Sequence, residues 1–236
     1  MTETKYTEKD SEYLKNNPTW HIEDSPWKAQ QIIKMLHRNP QNFESIAEVG
    51  CGAGEILNQL YSQLPKDTNF TGFDVSPDAI QLAKSREKDR LVYRQANFLV
   101  EQQKFDLLLM IDVFEHIEDY FGFLKQCKSK ADYTIFHIPL DICVQGILRN
   151  KLIARRHAYG HLHYFTKETA LATLTDCGYQ IIDSFYTAGA LELPKKTLLA
   201  KLAYIPIKLL YMLSKDLTAK LLGGLSLLVL TKNRVQ

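Results

Sequence analysis

Three groups of residues in this chain have the types and spacing to do chemistry. The first is Gly50, Gly52 and Gly54, which alternate with small residues in "VGCGAG". Glycine has no Cβ, so backbone there can approach a ligand closely, and it accepts positive φ. An apolar run precedes the loop and a helical pattern follows it, so its amides and a positive helix end would face a bound cofactor. Asp74 ends the next apolar run, twenty positions after Gly54. A carboxylate there can accept from ribose hydroxyls, although capping the helix that begins "SPDA" is a competing role. Asn97 follows the third run, where an amide could pair with an adenine edge. The second group is titratable: Asp112, Glu115 and His116 in "IDVFEHIED", with His161 and His163 in "GHLHYF". Histidine titrates near neutrality and can take the proton of a hydroxyl nucleophile. His137 lies inside an apolar strand pattern and reads as structural. The third group is Arg149, Lys151, Arg155 and Arg156 in "RNKLIARRH", either a solvated face or a seat for an anionic substrate group.

The glycine loop leaves a choice of nucleoside cofactor. A nicotinamide fingerprint needs glycine or alanine at its sixth position, and that position here is Glu55. A carboxylate facing a pyrophosphate is unfavourable. A cofactor without phosphate and with a sulfonium cation, S-adenosylmethionine, tolerates it better.

The elements that must position these residues alternate. Strand patterns at 45–50, 69–75, 90–96, 104–112 and 131–139 are separated by helical patterns at 55–64, 76–87 and 119–129. "KFDLLLMID" is a continuous apolar run of the kind buried on both faces of a sheet. This alternation predicts a doubly wound, mostly parallel α/β sheet, in which ligands bind beyond the carboxyl ends of the strands. A helix with Ser25 as N-cap and Pro26 in its first turn precedes it. Residues 140–163 break the rhythm and read as irregular. A helix at 166–178 and a strand at 179–188 follow, then a helical insert at about 194–222 and a last strand at 225–232. The chain of 236 residues carries a net charge of +2, with no field of the kind that marks a nucleic-acid binder. Its four cysteines are scattered and read as reduced thiols of a cytoplasmic protein. The polar N-terminus is no signal peptide, and no apolar stretch is long enough to span a bilayer.

Taken in order, "AEVGCGAGEIL", "TGFDVSPDAIQLAK", "FDLLLMIDVFEHIED" and "HLHYFTKETALATLTDCGY" resemble the successive motifs of the Rossmann-like (class I) S-adenosylmethionine-dependent methyltransferases that act on small molecules. The resemblance covers about residues 27–187 and the last strand. It implies a seven-stranded sheet with an antiparallel last strand, and one domain over 1–236. Within it, 1–40 would be a lid and helix, 140–165 a substrate-side insert and 194–222 a helical insert. It further implies that Gly50, Cys51 and Gly52 contact the amino-acid part of the cofactor and Asp74 the ribose. Asn97 and Phe98 would flank adenine, with Ile111, Asp112 and Val113 beneath the sulfonium. Glu48, Val75 and Trp27 complete the expected cofactor contacts, Trp27 as part of a lid "TWHIEDSPWK"; the favoured alternative is that Trp20 and Trp27 simply cover the core. Asn97 stands where the family usually has an acidic residue, but an amide can still accept from the adenine amino group. His163, His161 and His116 are the candidate bases; the equal alternative is that Glu115 and His116 only cap and orient their loop.

No metal is expected. The alternative, ranked last, is a divalent site of Asp112, Glu115, His116 and His163, similar to the E-x-x-E-H pattern of small-RNA 2′-O-methyltransferases and quinone-precursor O-methyltransferases. The function implied is methyl transfer, preferably to oxygen, on a small-molecule or glycan- or lipid-linked acceptor, with S-adenosylhomocysteine as product. The competing reading is a cofactor-binding scaffold or membrane-surface module with little turnover. In the insert, Lys201, Lys208 and Lys215 recur every seven residues beside an apolar stripe of Leu198, Leu202, Ile205, Leu209 and Leu213. Pro206 should kink or split this helix. The stripe suits core packing, a homodimer or peripheral membrane contact.

Overall fold

The computed structural model describes residues 19, 20, 22–194 and 198–233, with 198–203 described by backbone alone. Seven strands form one sheet in the order β3-β2-β1-β4-β5-β7-β6. They are β1 (Ser45–Val49), β2 (Asn69–Asp74), β3 (Leu91–Gln95), β4 (Phe105–Ile111), β5 (Ala131–Pro139), β6 (Tyr179–Thr187) and β7 (Ser226–Asn233). The first five pair in parallel, and β7 runs antiparallel between β5 and β6. The strand order reverses between β1 and β4, whose carboxyl ends lie side by side at Val49 and Met110.

Side chains of a strand alternate between faces, and β4 shows what this does to a continuous apolar run. Leu107, Leu109 and Ile111 enter one core with Ile32, Leu57 and Leu60. Leu108 and Met110 enter the other with Leu124, Phe136 and Leu174. Both faces are covered, so every position of the run can be apolar. Truncating a side chain such as Leu108, fully buried, to alanine costs about 2–5 kcal/mol.

The helices among the described residues are α1 (Ser25–Arg38), α2 (Glu55–Tyr61), α3 (Pro77–Lys84), α4 (Tyr120–Lys128), α5 (Val144–Leu148), α6 (Lys151–Tyr159), α7 (Lys167–Asp176), α8 (Gly189–Glu192), α9 (Leu198–Leu213) and α10 (Lys215–Leu221). Ser76 caps α3, its hydroxyl accepting from the Ala79 N–H, and Thr166 caps α7 through a reciprocal pair with Thr169.

Three local expectations change. Asp24 rather than Ser25 is the N-cap of α1. Residues 140–163 are not irregular: Cys143 opens α5, and Asn150 in the left-handed region (φ 51°) starts α6, which Gly160 (φ 84°) ends. The insert is split at Ser214 and not at Pro206. Helix α9 runs through Pro206, and the Ser214 hydroxyl accepts from the Leu217 N–H to begin α10. Lys201, Leu198 and Leu202 lie outside the residues whose side chains are described.

Candidate active site

The carboxyl ends of β1, β2, β4 and β5 surround a cavity of about 520 Å³. Its floor is the loop from β1 to α2. Gly50 is held at φ 68°, and a Cβ on it would lie 2.9 Å from a Val113 methyl. Only glycine suits both the angle and the space. Gly52 is covered by the Trp20 ring, which a Cβ there would meet at 3.6 Å. Asp74 fixes this loop. Its Oδ2 accepts from the Gly52 N–H and its Oδ1 from the Ser76 N–H, each at 2.9 Å. Burial raises its pKa against those donated bonds.

Glu48 and Cys51 also line the cavity. Burial pushes the Glu48 carboxyl well above the usual range, and its Oε2 has no hydrogen-bond partner among the described residues. Burial likewise pushes the Cys51 thiol up, which suits a small loop residue and not a nucleophile. Glu55 turns sideways to Arg86, at 2.6 Å. Burial works to raise its pKa, but hydrogen bonds from Gln59 and Arg86 outweigh it and hold the carboxyl down.

Most of the expected cofactor positions meet here: Trp27, Glu48, Gly50, Cys51, Gly52, Asp74, Val75, Ile111, Asp112 and Val113 all line the cavity. Asn97 and Phe98 do not. The Asn97 side-chain Oδ1 accepts from the Leu99 N–H and caps a short turn. Phe98 packs into the core against Phe73 and Phe105.

A buried polar chain crosses one wall. The Lys28 ammonium donates to Asp112 Oδ2 (2.8 Å), His137 Nδ1 to Asp112 Oδ1 (2.6 Å), and Thr187 Oγ1 meets His137 Nε2 at 2.9 Å. Burial would raise the Asp112 pKa, but His137 and Lys28 hold it far below the carboxylate range. Asp112 sits at φ 55° to make this contact, a costly angle for a non-glycine residue. Trp27 closes the wall, its indole N–H donating to Glu192 (2.7 Å) and its ring edge meeting His137. His137, expected to be structural only, therefore lies at the site with both nitrogens engaged.

The candidate bases separate. His161 lines the cavity, and its Nδ1 donates to Asp141 Oδ2 at 2.6 Å. Asp141 also takes a contact from Arg155. A neutral imidazole that donates through Nδ1 carries its lone pair on Nε2. His116 lines the same side, its ring 5.0 Å from that of His161. His163 is not part of the cavity: its Nε2 donates to the Ile117 carbonyl (2.9 Å) and its ring packs on Tyr120.

The four-residue metal set that the sequence ranked last does not assemble among the described residues, because His163 is turned away and Asp112 is taken by Lys28 and His137. Glu115, His116 and His161 instead offer one ligand atom each within 4.8 Å of one another. Burial, then the charge of Asp112, push the Glu115 carboxyl well up, favouring its protonated form. Of the basic cluster, Arg155 turns inward, whereas Arg149 and Arg156 are exposed.

Lys28, His137, Asp141 and Thr187 escaped the sequence reading. Asp141 had a usable signal, since it lies just past the carboxyl end of β5. Lys28 had none, being one cation among several on an amphipathic helix.

This sheet order, with its antiparallel β7 and a glycine loop at the switch point, defines a Rossmann-like, class I S-adenosylmethionine-dependent methyltransferase. A family model described as a methyltransferase domain matches residues 21–184, and the chain belongs to that family. It is 34% identical over 111 residues to a ubiquinone biosynthesis O-methyltransferase of Rhodopseudomonas palustris (strain BisA53), covering 43% of each chain. The chain thus spans less than half the length of that curated relative. Two solved structures share the fold. The N-methyltransferase NodS from Bradyrhizobium japonicum WM9, in complex with S-adenosylhomocysteine, aligns with a TM-score of 0.57 at 17% identity, covering 99% of this chain and 97% of that one. The magnesium protoporphyrin IX methyltransferase of Synechocystis PCC 6803, with bound S-adenosylhomocysteine, gives 0.59 at 13% identity over 89% and 83%.

Proposed function

We propose that this chain transfers the methyl group of S-adenosylmethionine to an oxygen of a small molecule, free or carried on a glycan or lipid, and that His161 takes the hydroxyl proton. The observation that carries the oxygen acceptor is the Asp141–His161 pair, 2.6 Å apart, in the cavity that the glycine loop also lines.

The residues fit the cofactor. Gly50 and Gly52 give a floor that a side chain at either position would fill. Asp74 and Val75 line the cavity as the candidates to hold ribose, and the unpartnered Glu48 oxygen is the candidate acceptor for the cofactor's ammonium group. Bound S-adenosylmethionine supplies a methyl carbon on a sulfonium, a leaving group that needs no acid. What remains for the protein is alignment, exclusion of water and disposal of one proton. Trp20 and Trp27 cover the site. Asp141 holds His161 in the tautomer whose Nε2 can accept the acceptor's hydroxyl proton, and stabilises the imidazolium that results.

Calorimetric titration with S-adenosylmethionine, S-adenosylhomocysteine and NAD, followed by radiolabelled methyl transfer into fractionated cell extract, tests this reading. The first two ligands should bind and a small species should acquire an alkali-stable or ester methyl on oxygen. Binding of NAD alone would overturn the cofactor assignment, and label found on nitrogen or carbon would overturn the oxygen acceptor. Cofactor binding with no labelled species would assign the chain to a scaffold role.

A further inference from the structure

Two protrusions leave the sheet at the cavity. One is α5 and α6, whose inner side gives Arg155 and Tyr159 to the cavity lining. The other is α9 and α10, which begins after the lining residues Gly189, Ala190 and Leu193 and returns at Gly224 and Leu225. Helix α5 packs against α10, so the two stand side by side. Their outer sides are apolar and, among the described residues, uncovered. Leu148 is 78% exposed, Met212 73% and Leu213 84%, with Ile147, Ile153, Ile205 and Leu209 also exposed. Clustered exposure of large apolar side chains marks a contact surface rather than ordinary surface scatter.

Charge identifies what it contacts. No acidic residue occurs between Asp141 and Glu168, or between Glu192 and Asp216, while Arg149, Arg156, Lys208 and Lys215 are exposed there. Three of the acids that bound these stretches are paired with cations, Asp141 with Arg155, Glu168 with Lys220 (2.6 Å) and Asp216 with Lys167 (3.3 Å), and the fourth, Glu192, accepts from Trp27 (2.7 Å) and Gln31 (3.3 Å). A second copy meeting this face about a two-fold axis would set cations against cations. No helix among the described residues is long and apolar enough to cross a membrane, so the pattern is that of a surface lying in an interface.

We propose that this face docks on an anionic lipid bilayer, with Leu148, Met212 and Leu213 entering the headgroup boundary and the lysines and arginines on lipid phosphates. The cavity mouth then opens at the bilayer surface, and the acceptor is an amphiphile whose apolar tail stays in lipid while its hydroxyl reaches His161. This rests on the methyl-transfer reading above, but docking is measured without turnover.

Flotation of the full chain with vesicles tests it, using phosphatidylcholine alone and phosphatidylcholine with about one-third phosphatidylglycerol, at low and high salt. The protein should float with the anionic vesicles only, and less at high salt. Reversing two charges (Lys208→Glu with Lys215→Glu) should weaken binding at least about tenfold, and Leu148→Asp with Leu213→Asp should abolish it. Both variants should bind S-adenosylmethionine as the parent does, which shows that they fold and keeps failure of docking distinct from failure of the cofactor assignment. Protein left at the bottom with anionic vesicles at low salt overturns the proposal. So does binding that ignores the charge reversals, or a dimer by light scattering that the leucine variant dissociates, which would assign the face to self-association.

Discussion

Replacing Asp141 with asparagine changes one charge and almost no volume, and its consequence can be followed atom by atom. In the parent, Asp141 Oδ2 lies 2.6 Å from His161 Nδ1, and its other oxygen meets Arg155. An amide at this position can donate to Nδ1, which places the ring proton on Nε2. The base is then blocked in its resting tautomer, and the imidazolium loses its counter-charge. A general base contributes about 10²–10⁴-fold, or about 3–5 kcal/mol of barrier, and Asp141→Asn should forfeit most of it. The stability cost is smaller. Removing one member of a buried ion pair costs about 3–5 kcal/mol, but the Arg155 side chain is 26% exposed and can turn to solvent, so about 1–2 kcal/mol is expected. The assay is single-turnover transfer of labelled methyl to the acceptor identified in extract, with cofactor affinity measured in parallel. The rate should fall at least about a hundredfold while cofactor affinity holds, and His161→Ala should show no further loss when added to Asp141→Asn. Full turnover by a folded Asp141→Asn protein would refute the tautomer argument. A parallel collapse of cofactor affinity would move Asp141 out of the proton path and into the cofactor's support.

Asp74→Asn should weaken S-adenosylmethionine binding by about 1.5–3 kcal/mol, since hydrogen bonds to a charged acceptor are lost; calorimetry reads this as a roughly 10- to 150-fold rise in Kd, and unchanged affinity would remove Asp74 from the ribose site. Gly50→Ala should lower Tm and abolish cofactor binding, because its Cβ would crowd Val113 at a φ of 68°, a backbone region costing about 1–2 kcal/mol for other residues. Glu115→Gln should stabilise the protein at neutral pH. Burial raises the folded pKa of Glu115, so the parent loses stability as pH climbs from the unfolded value, about 4.3, toward the folded one, and the glutamine variant does not. Denaturant melts at pH 4 and pH 7.5 check this; an equal gain at both would refute it.

The sheet was legible because its strands announce themselves in two ways, by continuous apolar runs such as "FDLLLMI" and by glycine or Ser-Pro punctuation at their ends. The glycine loop and Asp74 were legible for the same reason, since their roles are set by position along a β-α unit. The histidines were not. His161 and His163 are separated by one residue, so an extended chain offers no basis for choosing between them, and the choice is made by Asp141 and by the Ile117 carbonyl. His137 looked like a core residue because it lies inside an apolar strand, and only the strand's register brings it beside Ile111 and so to Asp112. The inserts misled in the other direction. An apolar stripe at helical spacing usually implies a core, and sequence does not reveal that nothing in the described fold covers this one.

The position of β7 has a consequence for how the chain comes together. β7 completes the sheet by wedging between β5 and β6, and its register is pinned by a buried polar knot. The Asn233 amide donates to the Ala131 carbonyl (2.7 Å) and the Thr134 hydroxyl (3.0 Å), the latter a partner 99 residues earlier. Until β7 arrives, β5 and β6 both present open edges, which invite pairing with other chains. Loop closure over such a separation is slow. During vectorial synthesis the first five strands can dock while β7 is still within the ribosome, leaving a sheet with an unfilled slot. The nascent chain should therefore depend on holdase chaperones until its last strand is released, and a peptide of the β7 sequence supplied in trans should compete for the slot.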